Sequence, residues 1–114
     1  METRLEVMKK IVLAIQESLA FHDMMPGTDD FRRRYREETS IETAPVVSSN
    51  DEEKTLLTQI LGGASSCGFH ESPPDASGRT GYIIHGGYAQ MQAYVNQLKD
   101  DMNQLQNTEN GPRD

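Results

Sequence analysis

Two stretches of the chain carry apolar residues at the spacing of an α-helix. Near the amino terminus, one stripe steps by three and four residues and consists of Leu5, Met8, Val12, Ile15 and Leu19. A second stripe runs beside it and consists of Val7, Ile11, Ala14, Ser18 and Phe21. Together they cover roughly half of a helical circumference, which is wider than one neighbouring helix needs. The pattern predicts a long first helix that ends at Met25, because Pro26 lacks an N–H and Gly27 interrupts the repeat.

The last part of the chain has a narrower and more regular stripe. Its apolar positions step by four and three residues without interruption and are Ile84, Tyr88, Met91, Val95, Leu98, Met102 and Leu105. This is the spacing of a heptad repeat, which buries one seam of a helix against another helix. We therefore predict a long amphipathic last helix that contains this seam, followed by a disordered tail over residues 107–114.

The region between these helices predicts shorter elements. Residues 28–38 predict a short second helix, and residues 39–50 are expected to be a linker. A third helix is expected to begin at a cap formed by Ser49 or Asn50 and to end at the glycine pair that follows its apolar residues. Residues 62–81 are rich in Gly, Ser and Pro and lack apolar periodicity, so they predict a long loop.

These elements predict an all-α protein of three to four helices, with long amphipathic first and last helices. Residues 1–106 would form a single all-helical interaction domain. The chain has 114 residues, of which 35% are hydrophobic, and it contains no Trp. Because a small chain with few large apolar side chains builds only a thin core, and oligomerisation is a usual remedy, we expect a helical homodimer.

The charge of the chain limits the classes of partner. A formal net charge of −7 disfavours nucleic acid and anionic membranes, because like charges repel. The basic run Arg32–Arg36 has acidic residues four positions away on both sides, so we expect it to pair with its own helix. The amino-terminal segment lacks the apolar run of a signal peptide or membrane span, and the single Cys67 cannot form an internal disulfide. We expect a cytoplasmic protein.

The stretch "IIHGG", residues 83–87, is the first candidate for chemistry. A His-Gly-Gly run can belong to an oxyanion cradle, but the hydrolases that use one also need a Gly-x-Ser-x-Gly turn, which this sequence lacks. A phosphate-binding loop would need a Lys where Gly87 stands. We therefore interpret the run as structural: it leads into the last helix, or it lets another backbone approach closely.

A second candidate involves Cys67. Cys67 and His70 have the spacing of half a zinc site, but a structural zinc needs four ligands, and the remaining histidines are His22 and His85. A Cys67 nucleophile with a His85 base is conceivable if the fold brings the two together. The surrounding loop offers no basic helix terminus nearby that would activate the thiol. We expect no metal, no cofactor and no catalytic activity.

The apolar stripes of the first and last helices are the expected interaction surface. One stripe can close the internal core while another contacts a second copy or a partner, and the sequence leaves open which stripe does which. The predicted partner or dimer interface comprises Leu5, Met8, Ile11, Val12, Ile15, Leu19, Phe21, Tyr88, Met91, Val95, Leu98 and Met102.

Over most of its length the chain resembles a family of quorum-sensing antiactivators that are specific for the LuxR-type activator LasR. The resemblance lies in "RLEVMKKIVLAIQESLAFHDMM" and "GGYAQMQAYVNQLKDDM", which are separated by an acidic, loop-rich middle. It implies an all-helical homodimer without catalytic activity. Such a protein would bind the ligand-binding domain of a LuxR-type transcription activator and block its dimerisation. An activator that cannot pair loses one half-site of its DNA contact.

Three other interpretations remain open. A helical coiled-coil adaptor or secretion chaperone would use the same apolar helices on a different partner. A small thiol-dependent enzyme would need Cys67 and His85. A nucleic-acid-binding module would need the Arg32–Arg36 run, and its binding should weaken steeply with salt.

Overall fold

The computed structural model of the chain describes residues 2–24, 26–63 and 67–110. The described residues form four helices and four short strands, so the prediction of an all-α fold is wrong and the chain is mixed α/β. The helices are α1 (Glu2–Asp23), α2 (Asp29–Glu38), α3 (Asp51–Leu61) and α4 (Tyr88–Asn110). The strands are β1 (Ile41–Glu42), β2 (Val46–Val47), β3 (Gly68–Glu71) and β4 (Gly81–Gly86).

The four strands form one antiparallel sheet in which β4 is central. Strand β3 pairs with β4 as a hairpin, and β1 and β2 also pair with β4. His85 pairs with both Gly68 of β3 and Glu42 of β1. Because a strand has only two edges, β3 lies along one edge of β4, and β1 and β2 lie in line along the other.

A β-bulge separates β1 from β2. Glu42 pairs with His85, whereas Val46 pairs with Tyr82, so segment 43–45 contains one more residue than the part of β4 that it faces. Thr43 continues the hydrogen bonding to β4 across the bulge. Its N–H donates to the Ile84 carbonyl at 2.9 Å, and its hydroxyl accepts the Ile84 N–H at 3.1 Å.

The strands lie where a linker, a loop and a helix were predicted. Strands β1 and β2 fall in the predicted linker 39–50, and β3 falls in the predicted loop 62–81. Each has two to four residues, which is too short for a period-2 pattern to be recognised. Ile84, which was assigned to the helical seam, belongs to β4. Its spacing from the residues of the α4 seam matches the helical repeat by coincidence. The β-branched residues at this point of the chain favour a strand.

The remainder of the loop 62–81 is also ordered, over its described part. Asp75 accepts hydrogen bonds from the Ser77 hydroxyl at 2.7 Å, the Ser77 N–H at 2.9 Å and the Arg79 N–H at 3.0 Å. The Ser77 hydroxyl and then the Arg79 N–H lower the pKa of the Asp75 carboxyl below its usual value. This turn closes the β3–β4 hairpin.

The helix boundaries agree with most of the predicted signals. Thr28 caps α2 by accepting the Phe31 N–H, and Asn50 caps α3 by accepting the Glu53 N–H. Helix α1 ends at Asp23, ahead of the predicted end at Met25, which lies outside the described residues. At the other terminus α4 continues to Asn110, so residues 107–110 of the predicted tail are helical and residues 111–114 lie outside the described chain.

Helices α1 and α4 pack antiparallel over their whole length. Tyr88 at the start of α4 contacts Asp23 at the end of α1, and Leu105 lies beside Arg4 at the other end. The seam of α4 therefore meets α1 inside the protomer, and α1 also packs against α3, β1 and β2. None of the helices in the described part of the chain is long and apolar enough to cross a membrane.

A partly buried ion pair joins α1 to the start of α3. Lys10 Nζ lies 2.8 Å from Glu53 Oε1, and the same oxygen accepts the Ser49 N–H at 2.9 Å. The Glu53 side chain is 9% exposed. The hydrogen bond from Lys10, followed by that from Ser49, holds the pKa of the Glu53 carboxyl below its ordinary value of 4.5. The ionised form of Glu53 is therefore the form that the fold stabilises.

We expect part of the acid sensitivity of this protein to originate at Glu53. Because the pKa is lowered in the folded state, the stabilisation is present above about pH 4.5 and is lost as the pH falls through the folded pKa. Urea unfolding measured from about pH 7 to about pH 3 should show a smaller loss of stability for Glu53→Gln than for the parent chain. The exposed neighbour Glu52 provides the control: Glu52→Gln should leave the pH dependence as it is, and equal profiles for all three proteins would contradict the assignment.

Candidate functional site

The solvent face of α1 carries apolar side chains that the core does not use. Leu13 is 57% exposed, Phe21 is 79% exposed and Met24 is 80% exposed. Residues 13, 17, 21 and 24 are spaced by about one helical turn, so they follow one line along the helix, with Glu17 as the polar member. Phe31 of α2 is 51% exposed and stacks on Tyr35 at 6.1 Å.

A groove runs beside this face, between α1 and the edge of the sheet formed by residues 40–47. It consists of two adjoining cavities of about 340 and 210 Å³ that share Ala14, Glu17 and Ala44. We call it the α1 groove. Its helical wall comprises Lys10, Leu13, Ala14, Glu17, Ser18, Phe21 and His22, its strand wall comprises Ser40, Ile41, Glu42, Ala44, Pro45, Val46 and Val47, and Tyr35 and Thr39 close one end.

The closed end of the groove is held by a cluster that attaches α2 to the body. Helix α2 has no buried residue of its own. Instead, Arg36 contacts Asp23 Oδ1 at 2.6 Å, and the Tyr88 hydroxyl donates to the same oxygen at 2.8 Å. The Arg36 guanidinium also lies 4.5 Å from the centre of the Tyr88 ring, which is a cation–π geometry. Burial, and then the hydrogen bond to Asp23, raise the pKa of Tyr88, so its hydroxyl remains a donor.

His22 lies beneath this cluster and lines the groove. Its ring lies 4.8 Å from Tyr35 and 5.6 Å from Tyr88, and the residue is 8% exposed. The buried Nε2 atom has no hydrogen-bond partner among the described residues. A buried polar atom without a partner is uncommon in folded proteins and costs stability. The aromatic packing around His22 and the polar contacts of Asp23 with Arg36 and Tyr88 together close the groove at this end.

The structure places most of the twelve predicted interface residues inside the protomer. Eight of them are buried and close the core between α1, α4 and the sheet, namely Met8, Ile11, Val12, Ile15, Leu19, Met91, Val95 and Leu98. Leu5, Tyr88 and Met102 are partly buried. Phe21 is the one member of the set that is largely exposed. Apart from Phe21, the predicted interface residues therefore belong to or pack against the core, and the accessible line of α1 shares only Phe21 with them.

The "IIHGG" stretch forms the junction between β4 and α4. Gly87 acts as the N-cap of α4, since its carbonyl accepts the Met91 N–H at 2.9 Å and its N–H donates to Gln90 Oε1 at 2.9 Å. His85 lies in β4 and its ring lies over Gly68 on β3, where a Cβ would clash with the imidazole. The predicted lead into the helix is found here. The predicted close approach of another backbone is not found among the described residues, because the atoms nearest to Gly86 and Gly87 belong to the side chains of Cys67 and Gln90.

Cys67 and His85 lie on opposite faces of the sheet. The Cys67 sulfur lies 3.5 Å from the Met91 sulfur in the core, and it faces the inner side of Gly86. Successive residues of a strand point to opposite faces, so His85 points away from that side. Its ring lies instead 5.4 Å from His70 on the outer face. In the described residues the fold does not assemble the thiol–imidazole pair that an enzyme of this type would need.

The remaining sequence candidates do not form a site in the described residues. Within them, no group of three His, Cys, Asp or Glu side chains is placed to hold a metal ion. Two arginines of the basic run pair within α2, as expected, but at i,i+3 spacing: Arg33 lies 3.3 Å from Asp30, and Arg32 lies 3.9 Å from Asp29. Arg36 pairs instead with Asp23 of α1.

Comparison of the chain with protein-family models, with curated proteins and with solved structures gives no significant match. The evidence for a functional site is therefore the geometry of the α1 groove and its apolar rim. Sequence patterns had pointed to the wide stripes of α1, but the groove depends on the strand edge 40–47, whose strands have no detectable period. The single signal that pointed toward it was Phe21, which lies at the margin of the second stripe.

Proposed function

We propose that this protein is a non-enzymatic regulator that binds another protein through the α1 groove and the apolar side chains beside it. The observation that carries the proposal is the line of Leu13, Phe21 and Met24 on the solvent face of α1. Large exposed apolar side chains that cluster next to a groove are typical of protein-binding surfaces. Phe31 is a further exposed large apolar side chain, on α2.

For the partner we propose the ligand-binding domain of a LuxR-type transcription activator, in the cytoplasm. The support is the resemblance of the first and last helices to the LasR-specific antiactivators. Occupation of the activator's dimer surface would prevent it from pairing, and a two-fold activator without its second subunit loses half of its DNA contact. Homodimerisation of the antiactivator is part of the same proposal, and its mass in solution tests it separately.

The proposal is tested by titrating the purified chain with the purified ligand-binding domain of LasR, with size-exclusion chromatography to determine the species formed. We expect a complex in which the activator domain is no longer dimeric. Leu13→Glu and Phe21→Glu should each weaken the complex by about tenfold or more, because each places a charge in the centre of the contact.

The matched control is Ala93→Glu, which introduces the same side chain at an exposed position of α4. This variant should bind as tightly as the parent chain, and all three variants should melt at the parental temperature. A parent chain that leaves the activator domain dimeric would contradict the proposed partner. A complex that is insensitive to both α1 variants would contradict the proposed surface.

A further inference from the structure

The outer edge of β1 has backbone groups that point away from the sheet. The Thr43 N–H donates to the Ile84 carbonyl, so Thr43 faces β4. In an antiparallel ladder, hydrogen-bonded residues alternate with residues whose N–H and C=O point to the opposite side. Glu42, which precedes Thr43, therefore directs both its N–H and its C=O toward the α1 groove. These are the groups that an added strand would use.

The other half of the same edge is closed. Pro45 has no N–H to offer, and the Val47 carbonyl lies 3.5 Å from Lys10 Nζ. The bulge between β1 and β2 also bends the edge away from a regular ladder. Proline, bulges and lysine are devices that protect sheet edges from pairing. These features lie within residues 43–47, so the part of the edge around Glu42 is the accessible portion.

The surroundings of Glu42 determine the chemistry that fits. The larger cavity of the groove is lined on its helical side by Ala14, Ser18 and Phe21, which form a largely apolar wall. Glu17 and Glu42 also line this cavity, and its lining contains no Lys or Arg. The Glu42 side chain is exposed on the outer face of the sheet, in register with His85. A segment in this position would meet Ala14 and Phe21, with Glu17 on the same helical wall, on one face and the Glu42 carboxylate on the other.

We propose that the edge at Glu42 binds an extended segment of the partner protein, antiparallel to β1, in which apolar and basic residues alternate. The inference rests on the proposed function, because it names the part of the partner that the α1 groove recognises. The apolar residues of the segment lie against Ala14 and Phe21. The basic residues lie on the outer face, where they neutralise the negative charge of Glu42.

The geometry specifies which backbone amides of the segment are used. Residues that face each other in an antiparallel pair have their side chains on the same face of the sheet. Glu42 points to the outer face, so the residue that bonds its N–H and C=O is a basic one. The amides of the basic residues therefore bond to the edge, and the amides of the apolar residues point to solvent.

The probe is an acetylated and amidated octapeptide in which Val and Lys alternate, added to the full ¹⁵N-labelled chain. Two isomers carry N-methyl groups on the Lys amides only or on the Val amides only, in equal number. We expect the unmodified and Val-methylated peptides to shift the amide signals of residues 40–44, and the Lys-methylated peptide to bind about tenfold more weakly, since it loses hydrogen bonds to the edge. Equal binding of the two methylated isomers would overturn the proposal.

Charge reversal provides an independent readout. Glu42→Lys should weaken binding of the Val–Lys peptide by about fivefold, and it should bind a Val–Glu peptide better than the parent chain does. Glu52→Lys on α3 makes the same change at an exposed position remote from the edge and should alter neither affinity. If Glu42→Lys and Glu52→Lys change the peptide affinities equally, the effect comes from the net charge of the protein, and the edge is not the binding site.

The two proposals can fail separately. A LasR domain complex that is unaffected by Glu42→Lys, together with no shift from the peptides, would overturn the strand-edge inference and leave the proposed function in place. Peptide binding at residues 40–44 without any complex with the LasR domain would support the edge as a binding site for such segments and contradict the proposed partner.

Discussion

Replacement of Leu98 by Asp is expected to lower the free energy of unfolding by about 4 kcal/mol, since an uncompensated buried charge costs roughly 3–5 kcal/mol. Leu98 is 2% exposed and lies in the seam where α4 packs against α1. Leu98 belongs to the apolar core cluster. Arg4 lines a small cavity beside it, but Asp101 lines the same cavity, so a carboxylate at position 98 meets charges of both signs and gains little in return. Urea unfolding followed by far-UV circular dichroism measures the change. For a domain of this size such a loss is a large part of the total stability.

Two control variants test whether burial of the charge, rather than the charge or the substitution itself, causes the loss of stability. Asn103→Asp adds the same charge at an exposed position of α4 and should change stability by less than about 0.5 kcal/mol. Leu98→Met conserves volume and polarity and should cost less than about 1.5 kcal/mol. A melting curve of Leu98→Asp that equals that of the parent chain would show that α4 does not pack as described.

Gly81→Ala is expected to destabilise the protein by about 2–3 kcal/mol, at the upper end of the cost of overpacking. A Cβ at Gly81 would lie 2.7 Å from the carbonyl oxygen of Val46 and 3.0 Å from its carbonyl carbon. These are backbone atoms of the paired strand β2, so they cannot rotate away as a side chain can. Relief requires β2 to move away from β4, which loosens the edge of the sheet beside the α1 groove.

The comparison for this variant is Gly63→Ala. There the nearest atom to a new Cβ is the Ile60 carbonyl oxygen at 3.4 Å, so no comparable clash arises. We expect Gly63→Ala to change the urea midpoint little, while Gly81→Ala lowers it clearly. Equal midpoints would mean that β2 adapts without cost, and would argue against a register fixed by close packing at this position.

The helices could be predicted from the sequence because the buried residues of a helix recur at a fixed short spacing along the chain. The stripes of α1 and the seam of α4 repeat over many turns, and short caps such as Asn50 mark the ends of the smaller helices. The strands of the sheet show no comparable repeat in the sequence. The edge strands have two to four residues each, and β4 contains Ile84 in phase with the helical seam that follows it. The width of α1, which suggested a second chain, is instead explained by the sheet that covers it.

The candidate site was predictable only in part, for a related reason. A groove is made by elements that are distant in sequence, and its walls here come from α1 and from residues 40–47. The orientation of Glu42 depends on the bulge register, which is a property of the pairing with β4. The rejection of a Cys67–His85 pair likewise depends on which faces of the sheet the two residues occupy. Neither property is encoded in local composition.

The attachment of α2 has a consequence for how the molecule opens. Because α2 buries no side chain and is held by the contacts of Arg36 and Tyr35, it can detach by local unfolding at a small fraction of the cost of global unfolding. Gly27, with φ of +133°, lies in the connection to α1. The helix that closes one end of the groove thus belongs to a separate cooperative unit from the core. Substitutions in α2 that adapt it to a new partner would therefore leave the stability of the body formed by α1, α4 and the sheet unchanged.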